Sequence, residues 1–162
     1  MRLLPPEKRA AMYAVYAFCR DVDDIADEPG ELADKKTALT AWRGWIEDLY
    51  QGRTPGHPVA RALRQPIAEF DLKQADFLAV IEGMELDAKP DIRIADRDAL
   101  IDYCDKVACA VGRLSVRVFG MAEEDGLALA RAEGLALQLT NILRDVAESS
   151  ARHAERKRAD HN

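Results

Sequence analysis

The stretch that decides the fold is MYAVYAFCRDVDDIADE, residues 12–28, in which an apolar run leads directly into a cluster of acids. At about 100° per residue on an α-helix, the side chains of four charged residues fall within roughly 100° of arc; these are Arg20, Asp23, Asp24 and Asp27. The same face continues through Tyr13 and Tyr16, so we expect it to lie along a surface suited to burial. Carboxylates grouped on such a surface need a cation, and clustered oxygen ligands favour Mg²⁺.

A second polar stripe lies near the other end of the chain, in QLTNILRDVAE, residues 138–148. Asn141, Asp145 and Glu148 fall within about 60° of one helical face, and Gln138 lies about 20° beyond that arc. A charge-rich helix end is often merely solvated, so one stripe alone is weak evidence of a site. Two stripes in one helical chain are most economically explained if they face each other across ions or a polar ligand, because unpartnered buried polar groups are costly.

The rest of the chain predicts an all-α fold. Helix-spaced apolar residues and turn signals place helices at about residues 6–28, 31–50, 59–69, 74–87, 96–119 and 123–158. The predicted breaks are Pro29-Gly30, residues 52–58 and Lys89-Pro90-Asp91. No alternating run bounded by turns predicts a strand.

The composition limits the classes of protein to which the chain can belong. The 162 residues, 48% hydrophobic and 32% charged, can bury one core as a single domain. The net charge of -6 argues against nucleic acid as a partner, because a phosphate backbone requires a basic surface. Cys19, Cys104 and Cys109 show neither zinc nor disulfide spacing, so we expect buried thiols in a reducing compartment.

Several motifs together resemble the squalene and phytoene synthases, which join two prenyl diphosphates head to head in an all-α fold. The matching stretches run in the family's order over about residues 2–148: LPPEKR at 4–9, YAVYAFCR at 13–20, DDIAD at 23–27, HPVA at 57–60, GMELD at 83–87, YCDKVACAVG at 103–112 and QLTNILRDV at 138–146. Residues 110–120, AVGRLSVRVFG, are most similar to the bacterial presqualene diphosphate synthases of hopanoid biosynthesis. The resemblance implies an isoprenoid-synthase-type helical bundle that we expect to be incomplete in this chain.

The resemblance also implies an activity. It is a Mg²⁺-dependent prenyl transfer that condenses two farnesyl diphosphates to presqualene diphosphate and releases pyrophosphate, with Mn²⁺ as a substitute metal. Phytoene synthase and squalene synthase are the alternatives with the same chemistry. The implied metal ligands are one set on each stripe: Asp23, Asp24 and Asp27, and Asn141, Asp145 and Glu148.

Further roles follow from the same resemblance. Arg20 is expected to bind diphosphate, and Tyr16 to lie in the reaction centre, with an intrahelical ion pair and ordinary core packing as the respective alternatives. Gln138 and Asn141 are expected beside the substrate. The expected catalytic set is Tyr16, Arg20, Asp23, Asp24, Asp27, Asn141 and Asp145.

A dry channel for the prenyl tails is expected around the YCDKVACAVG motif, since water would quench an allylic cation. Val107, Ala108, Val111 and Gly112 fit its wall, with Gly112 leaving room for the substrate; without the resemblance they would be assigned to the core. Met84 and Asp87 match the family pattern without an assigned role.

Two departures from the family pattern bear on activity. Ser149 stands where the family's second motif has another acid, and the tail after it does not resemble the family. We therefore expect a partial domain over residues 1–148 and a divergent basic tail over 149–162, as a frameshift in the gene would produce. A truncated, catalytically inactive relative is the competing interpretation.

A non-enzymatic helical module is a further alternative, whereas a di-iron bundle is excluded because Glu-x-x-His is missing. Without a signal peptide or an apolar stretch of about 18 residues, a cytoplasmic location is expected. Transient contact with the inner membrane surface is compatible with a long prenyl substrate. The sequence leaves the oligomeric state open.

Overall fold

The computed structural model describes residues 4–91 and 93–159, with side chains described as far as Glu148. Over these residues the chain forms eight α-helices and one π-helical turn, and no strand. The helices are α1 (Pro6–Asp27), α2 (Leu32–Tyr50), α3 (Pro58–Ala62), α4 (Arg64–Phe70), α5 (Gln74–Asp87), α6 (Arg97–Cys104), α7 (Ala110–Phe119) and α8 (Glu123–Ala159); the π turn is Asp105–Cys109. The predicted all-α class is confirmed.

Two predicted helices differ from the observed ones. The segment predicted as one helix over residues 59–69 is divided at Leu63 into α3 and α4. Pro66 explains the division, because it has no N–H to donate to the carbonyl of Ala62 and a continuous helix would lose that bond. The segment predicted over residues 96–119 contains the π turn between α6 and α7.

The core is built around α1. Phe18 lies edge-on against Trp42 of α2 and Phe77 of α5, with ring centroids 5.2 Å apart in both contacts. All three side chains are buried, and buried aromatic pairs of this geometry contribute about 0.5–1.5 kcal/mol beyond the area they bury. Helix α8 packs against α7 and the π turn rather than against α1. A groove is thereby left between α1 and α8.

The π turn is held by an ion-pair cluster. The Arg113 guanidinium on α7 donates two hydrogen bonds to Asp105, of 2.8 and 3.0 Å, and a third to Asp76 of α5. Asp76 is only 7% exposed. Burial alone would lower the pKa of Arg113, but the hydrogen bonds to Asp105 and Asp76 more than offset it and raise that pKa. A permanently charged arginine thus ties α5, the π turn and α7 together.

Replacing Arg113 by methionine is expected to cost about 2 kcal/mol of unfolding free energy, because Asp76 would be left as a buried charge without its partner. Urea denaturation measures the loss. Adding Asp76→Asn to R113M should recover part of it, since that change removes the stranded charge. If Asp76→Asn lowered the free energy of unfolding of R113M by as much as it lowers that of the natural chain, this account would be contradicted.

The predicted burial of the cysteines is confirmed for two of the three. Cys104 and Cys109 are buried, and Cys19 is half-buried against the core. Burial, with a smaller contribution from Asp23, raises the pKa of the Cys19 thiol to about 12. This thiol therefore stays protonated and is a poor nucleophile at neutral pH.

Over the described residues, no helix combines the length and the hydrophobicity needed to cross a membrane.

Candidate functional site

Two adjoining cavities share a floor formed by Val107 of the π turn and Val111 of α7. One cavity, of about 200 Å³, lies against α1, and the other, of about 480 Å³, runs along α8. Because both valines line both cavities, the cavities adjoin at these residues, and we call the two together the trough. The trough has an apolar floor with a stripe-bearing helix on either side.

The α1 side of the trough carries part of the first predicted stripe. Tyr16, Arg20 and Asp23 line the smaller cavity together with Val80 and Met84 of α5. Arg20 contacts Asp23 at 3.2 Å and Asp24 at 2.7 Å, so the intrahelical pair considered from the sequence is formed. Exposed pairs of this kind contribute only about 0.5 kcal/mol, which leaves the guanidinium free to exchange partners.

The expectation that this face of α1 is suited to burial is wrong for its tyrosines. Tyr13 is 55% exposed and Tyr16 is 62% exposed, so neither packs in the core. The physical reason is that α1 turns a different stripe inward, formed by Ala11, Val15, Phe18 and Val22. Tyr13 instead borders a cavity of about 580 Å³ between α1 and the helices α3 and α4, which the sequence did not predict.

The acids near the trough repel one another. Burial raises the pKa of Asp23, and Asp27 and Asp24 raise it further against the opposing effect of Arg20. Burial likewise raises the pKa of Asp87 at the end of α5, the charges of Asp27 and Asp23 add to the rise, and a hydrogen bond from Tyr103 opposes it. The carboxylates of α1 and the carboxylate at the end of α5 therefore lie close enough to repel one another.

The raised pKa of Asp87 predicts how stability depends on pH. Because the native carboxyl binds its proton more tightly than the unfolded one, stability falls as pH rises from below the ordinary value of 3.8 through the native pKa. Asp87→Asn removes this contribution. As pH rises over that range, the free energy of unfolding of the Asp87→Asn protein should therefore increase relative to that of the natural chain, and it should stay higher at neutral pH. Urea midpoints at a series of pH values measure the difference.

The exposed Asp98→Asn on α6 is the control for that series, and it should show no such pH-dependent gain. The assignment would be contradicted if the urea midpoints of the Asp87→Asn protein and the natural chain differed by the same amount at every pH across the acid range.

The α8 side of the trough carries part of the second stripe. Gln138, which is half-buried, and Asn141, which is exposed, line the larger cavity. Asp145 lies farther along α8, is exposed and pairs with its neighbour Arg144 at 3.3 Å. Glu148 is also exposed. The side chain of Ser149 lies outside the described residues.

The structure brings the predicted wall residues together at one cavity. Val107, Ala108, Val111 and Gly112 all line the larger cavity. The reason for a glycine at position 112 differs from the one we expected. A Cβ there would lie 3.1 Å from the Cβ and 3.2 Å from the Cα of Ala130, so the missing side chain lets α8 approach α7.

The predicted metal ligands are not gathered into one cluster. Among residues with described side chains, no three His, Cys, Asp or Glu side chains approach closely enough to hold a metal ion. The chemistry nevertheless fits a hard divalent cation. The donors are carboxylate and amide oxygens. Burial is the main cause that raises the pKa of Asp23 and Asp87, and the charges of neighbouring acids add a repulsion that such a cation would relieve.

An all-α bundle in which an acid-bearing helix and an amide-bearing helix border an apolar trough agrees with the isoprenoid-synthase-type bundle that the sequence resemblance implies. The family model described as squalene/phytoene synthase matches residues 1–158. This chain belongs to the squalene/phytoene synthase family. The matched residues extend beyond residue 148, the predicted boundary of the partial domain.

Within this family, the chain is more similar to presqualene diphosphate synthases than to a phytoene synthase. The chain is 54% identical over 151 residues to a presqualene diphosphate synthase of Zymomonas mobilis, covering 93% of this chain and 51% of the relative. It is 51% identical over 150 residues to a presqualene diphosphate synthase of Sinorhizobium fredii, covering 93% of this chain and 53% of the relative. A chloroplastic phytoene synthase of Zea mays is more distant, at 39% identity over 157 residues, covering 93% of this chain and 36% of that protein.

A solved structure supports the fold. The crystal structure of a squalene synthase from Alicyclobacillus acidocaldarius superposes with a TM-score of 0.79 at 34% identity, covering 91% of this chain and 55% of that one. The chain thus spans about half the length of the presqualene diphosphate synthases it matches.

Proposed function

We propose that this chain binds prenyl diphosphates with a divalent metal and condenses two farnesyl diphosphates head to head to presqualene diphosphate, releasing pyrophosphate. The trough carries this proposal, because it places polar groups of two helices on opposite sides of an apolar floor. A diphosphate with a prenyl tail has the same division into a charged and an apolar part. The named relatives favour presqualene diphosphate over phytoene as the product.

The first stripe would bind the charged end. We assign Asp23, Asp24 and Asp27 to hold Mg²⁺, or Mn²⁺ in its place. The bound metal would neutralise the negative charge that develops on the departing pyrophosphate. Arg20, which now pairs with Asp23 and Asp24, can turn its donors to phosphate oxygens once a cation occupies those carboxylates.

The aromatic ring of Tyr16 lines the same small cavity as Arg20 and Asp23. We assign its exposed face to the allylic carbon that loses its leaving group, because an aromatic face stabilises a nearby cation. Tyr16 would therefore act on the reacting carbon rather than on the diphosphate.

The second stripe would complete the site. Gln138 and Asn141 border the trough opposite α1, and we assign Asn141, Asp145 and Glu148 to a second metal position farther along α8. The apolar residues Val107, Ala108, Val111 and Gly112 would hold the prenyl tails and keep water from the cation. Contact with a membrane surface, from which such a substrate could be drawn, and a cytoplasmic location stay predictions.

A second candidate is a relative that binds metal and diphosphate without turnover. It is favoured by the separation of the predicted ligands, since no three acids with described side chains form a metal-holding group. Phytoene or squalene synthesis by the same chemistry is a variant of the first proposal rather than a separate mechanism.

Incubation of the chain with farnesyl diphosphate and Mg²⁺, with and without EDTA, tests the proposal. Pyrophosphate release and the extracted lipid are followed together. Conversion to presqualene diphosphate that stops with EDTA is the expected result. If the folded chain binds Mg²⁺ and pyrophosphate by calorimetry but makes no product, the non-catalytic candidate replaces it; if it does neither, both are overturned.

A further inference from the structure

Helix α8 carries a row of apolar residues on the side turned away from the bundle. Its inner side is marked by two glycines, because a Cβ at Gly126 would lie 3.1 Å from Val116 and one at Gly134 would lie 2.8 Å from the Cys109 sulfur. On the opposite half of the helix, six apolar residues recur at alternating spacings of three and four, the pattern by which one helix packs along another. We call these six residues the outer row: Leu129, Ala132, Ala136, Leu139, Leu143 and Val146.

Most of the outer row is open to solvent. Its large members Leu129, Leu143 and Val146 are 43%, 70% and 59% exposed. Of the other members, Leu139 is half-buried and the two alanines are exposed. Leu129, at the start of the row, also borders the larger cavity of the trough. Single exposed leucines are ordinary, but a continuous apolar face is typical of a surface that binds another molecule.

Helix α8 also extends beyond the elements against which it packs. It has 37 residues, whereas an average α-helix has about 11–12. Every side chain described after Ile142, over residues 143–148, is exposed, and the helix continues to Ala159. A helical segment without tertiary contacts has little stability in water, because most helical stability in proteins comes from packing of an amphipathic face. A second helix packed on the outer row would provide those contacts.

The charges at the two ends of α8 indicate which helix fits the outer row. The first turn is acidic, with Glu123, Glu124 and Asp125. Residues 152–158 near the other end, RHAERKR, include four basic residues and one acid. Two copies of α8 side by side in the same direction would bring like charges together at both ends, whereas two antiparallel copies would bring the acidic end of each beside the basic end of the other. Alternating spacings of three and four also read alike in both directions, so the row can pack on itself about a two-fold axis.

We propose that two copies of this chain associate through α8, with the helices antiparallel and the outer row of each packed against that of the other. Asn141 lies about 180° round α8 from the centre of the outer row, so this pairing leaves the polar side of the trough open. The inference goes beyond the proposed function and does not depend on turnover.

Sedimentation velocity over a range of protein concentrations tests the association. The mass of the natural chain should rise from that of one chain towards that of two as its concentration increases. Leu143→Asp should raise the dissociation constant of the dimer by at least about 10-fold, because it places a charge at the centre of the buried apolar contact. A chain that stays monomeric at every concentration would overturn the proposal.

Leu137→Asp is the matched control. Leu137 is 60% exposed on the same helix but lies about 120° round it from Leu143. The same chemical change should therefore leave the dissociation constant within about 3-fold of that of the natural chain. Because both leucines are exposed, urea denaturation of the monomers should show both variants folded. A dimer that Leu143→Asp leaves intact, or that both substitutions weaken equally, would show that the outer row is not the contact.

Charge reversal tests the antiparallel direction. The double variant E124K/D125K should weaken the dimer by about 10-fold, because it places basic residues beside the basic end of the other copy. Glu123 is left unchanged, since it pairs with Arg117 at 2.7 Å within the chain. Adding R156E/K157E to the same chain should restore the association.

High salt gives a second measure of the direction of pairing. It should weaken the natural dimer, because it screens attraction between opposite charges. A parallel pair would instead associate more strongly at high salt and would be little affected by E124K/D125K, and that result would overturn the proposed arrangement.

Discussion

Replacing Asp23 by asparagine is expected to lower Mg²⁺-dependent conversion of farnesyl diphosphate by about 10²-fold or more, the scale on which enzymes lose activity when one group that stabilises developing charge is removed. Asp23 is the acid of the first stripe that lines the trough, beside Arg20 and Tyr16. An amide oxygen carries no net charge and is a weaker ligand for a hard cation. The measurement is pyrophosphate release at saturating metal.

The same substitution should not destabilise the metal-free protein. Burial, Asp27 and Asp24 raise the pKa of Asp23, which means that its ionised form is disfavoured in the fold. Removing that charge should therefore leave the urea midpoint at neutral pH equal or higher. A loss of activity without a loss of stability is typical of acids kept for function rather than for folding.

Asp21→Asn is the matched control. It makes the same chemical change two residues away, but Asp21 faces His57 at 3.9 Å and does not line the trough. Activity close to that of the natural chain is expected. Equal losses of activity in the Asp21 and Asp23 variants would show that net charge, and not position on the helix, governs turnover.

Replacing Gly134 by alanine is expected to destabilise the protein by about 3 kcal/mol, at the upper end of the usual cost of overpacking. A Cβ at this position would lie 2.8 Å from the Cys109 sulfur and 2.9 Å from the Cys109 Cα and N. Because two of these three atoms are backbone, Cys109→Ala should not rescue the variant. The α8 helix would have to move away from the π turn, which would also open the trough.

Gly44→Ala provides the comparison for that variant. Gly44 lies inside α2, and a Cβ there would meet nothing within 4 Å. Its replacement should stabilise the protein by about 1 kcal/mol, the ordinary gain of alanine over glycine in a helix. Chemical denaturation of the two variants should therefore give shifts of opposite sign. A stabilising shift for Gly134→Ala would show that α8 is not held close to the π turn in solution.

Part of the candidate site could be predicted because helical spacing is a local property. Arg20 and Asp23 line the trough from α1, and Gln138 and Asn141 from α8, whereas Asp24, Asp27, Asp145 and Glu148, predicted on the same helical faces, do not line it. The contact of Asp87 with Tyr103 was missed, although both residues lie in motifs that matched the family. It joins the end of α5 to α6, and nothing in either segment alone indicates the other as its partner.

The sequence by itself determined the helical segments and the polar face of each stripe, because periodicity and proline act over one or two turns. It did not determine the division at Leu63 or the π turn. Only the tertiary structure decided that Tyr16 is exposed and that Gly112 and Gly134 allow α8 to lie close to α7 and the π turn. It also decided that Asp87 lies near enough to Asp23 for the charge of Asp23 to raise its pKa. The physical reason is that burial, close backbone approach and Coulomb repulsion depend on distances between helices. Those distances are set by how the side chains of several helices pack at once, which no single segment encodes.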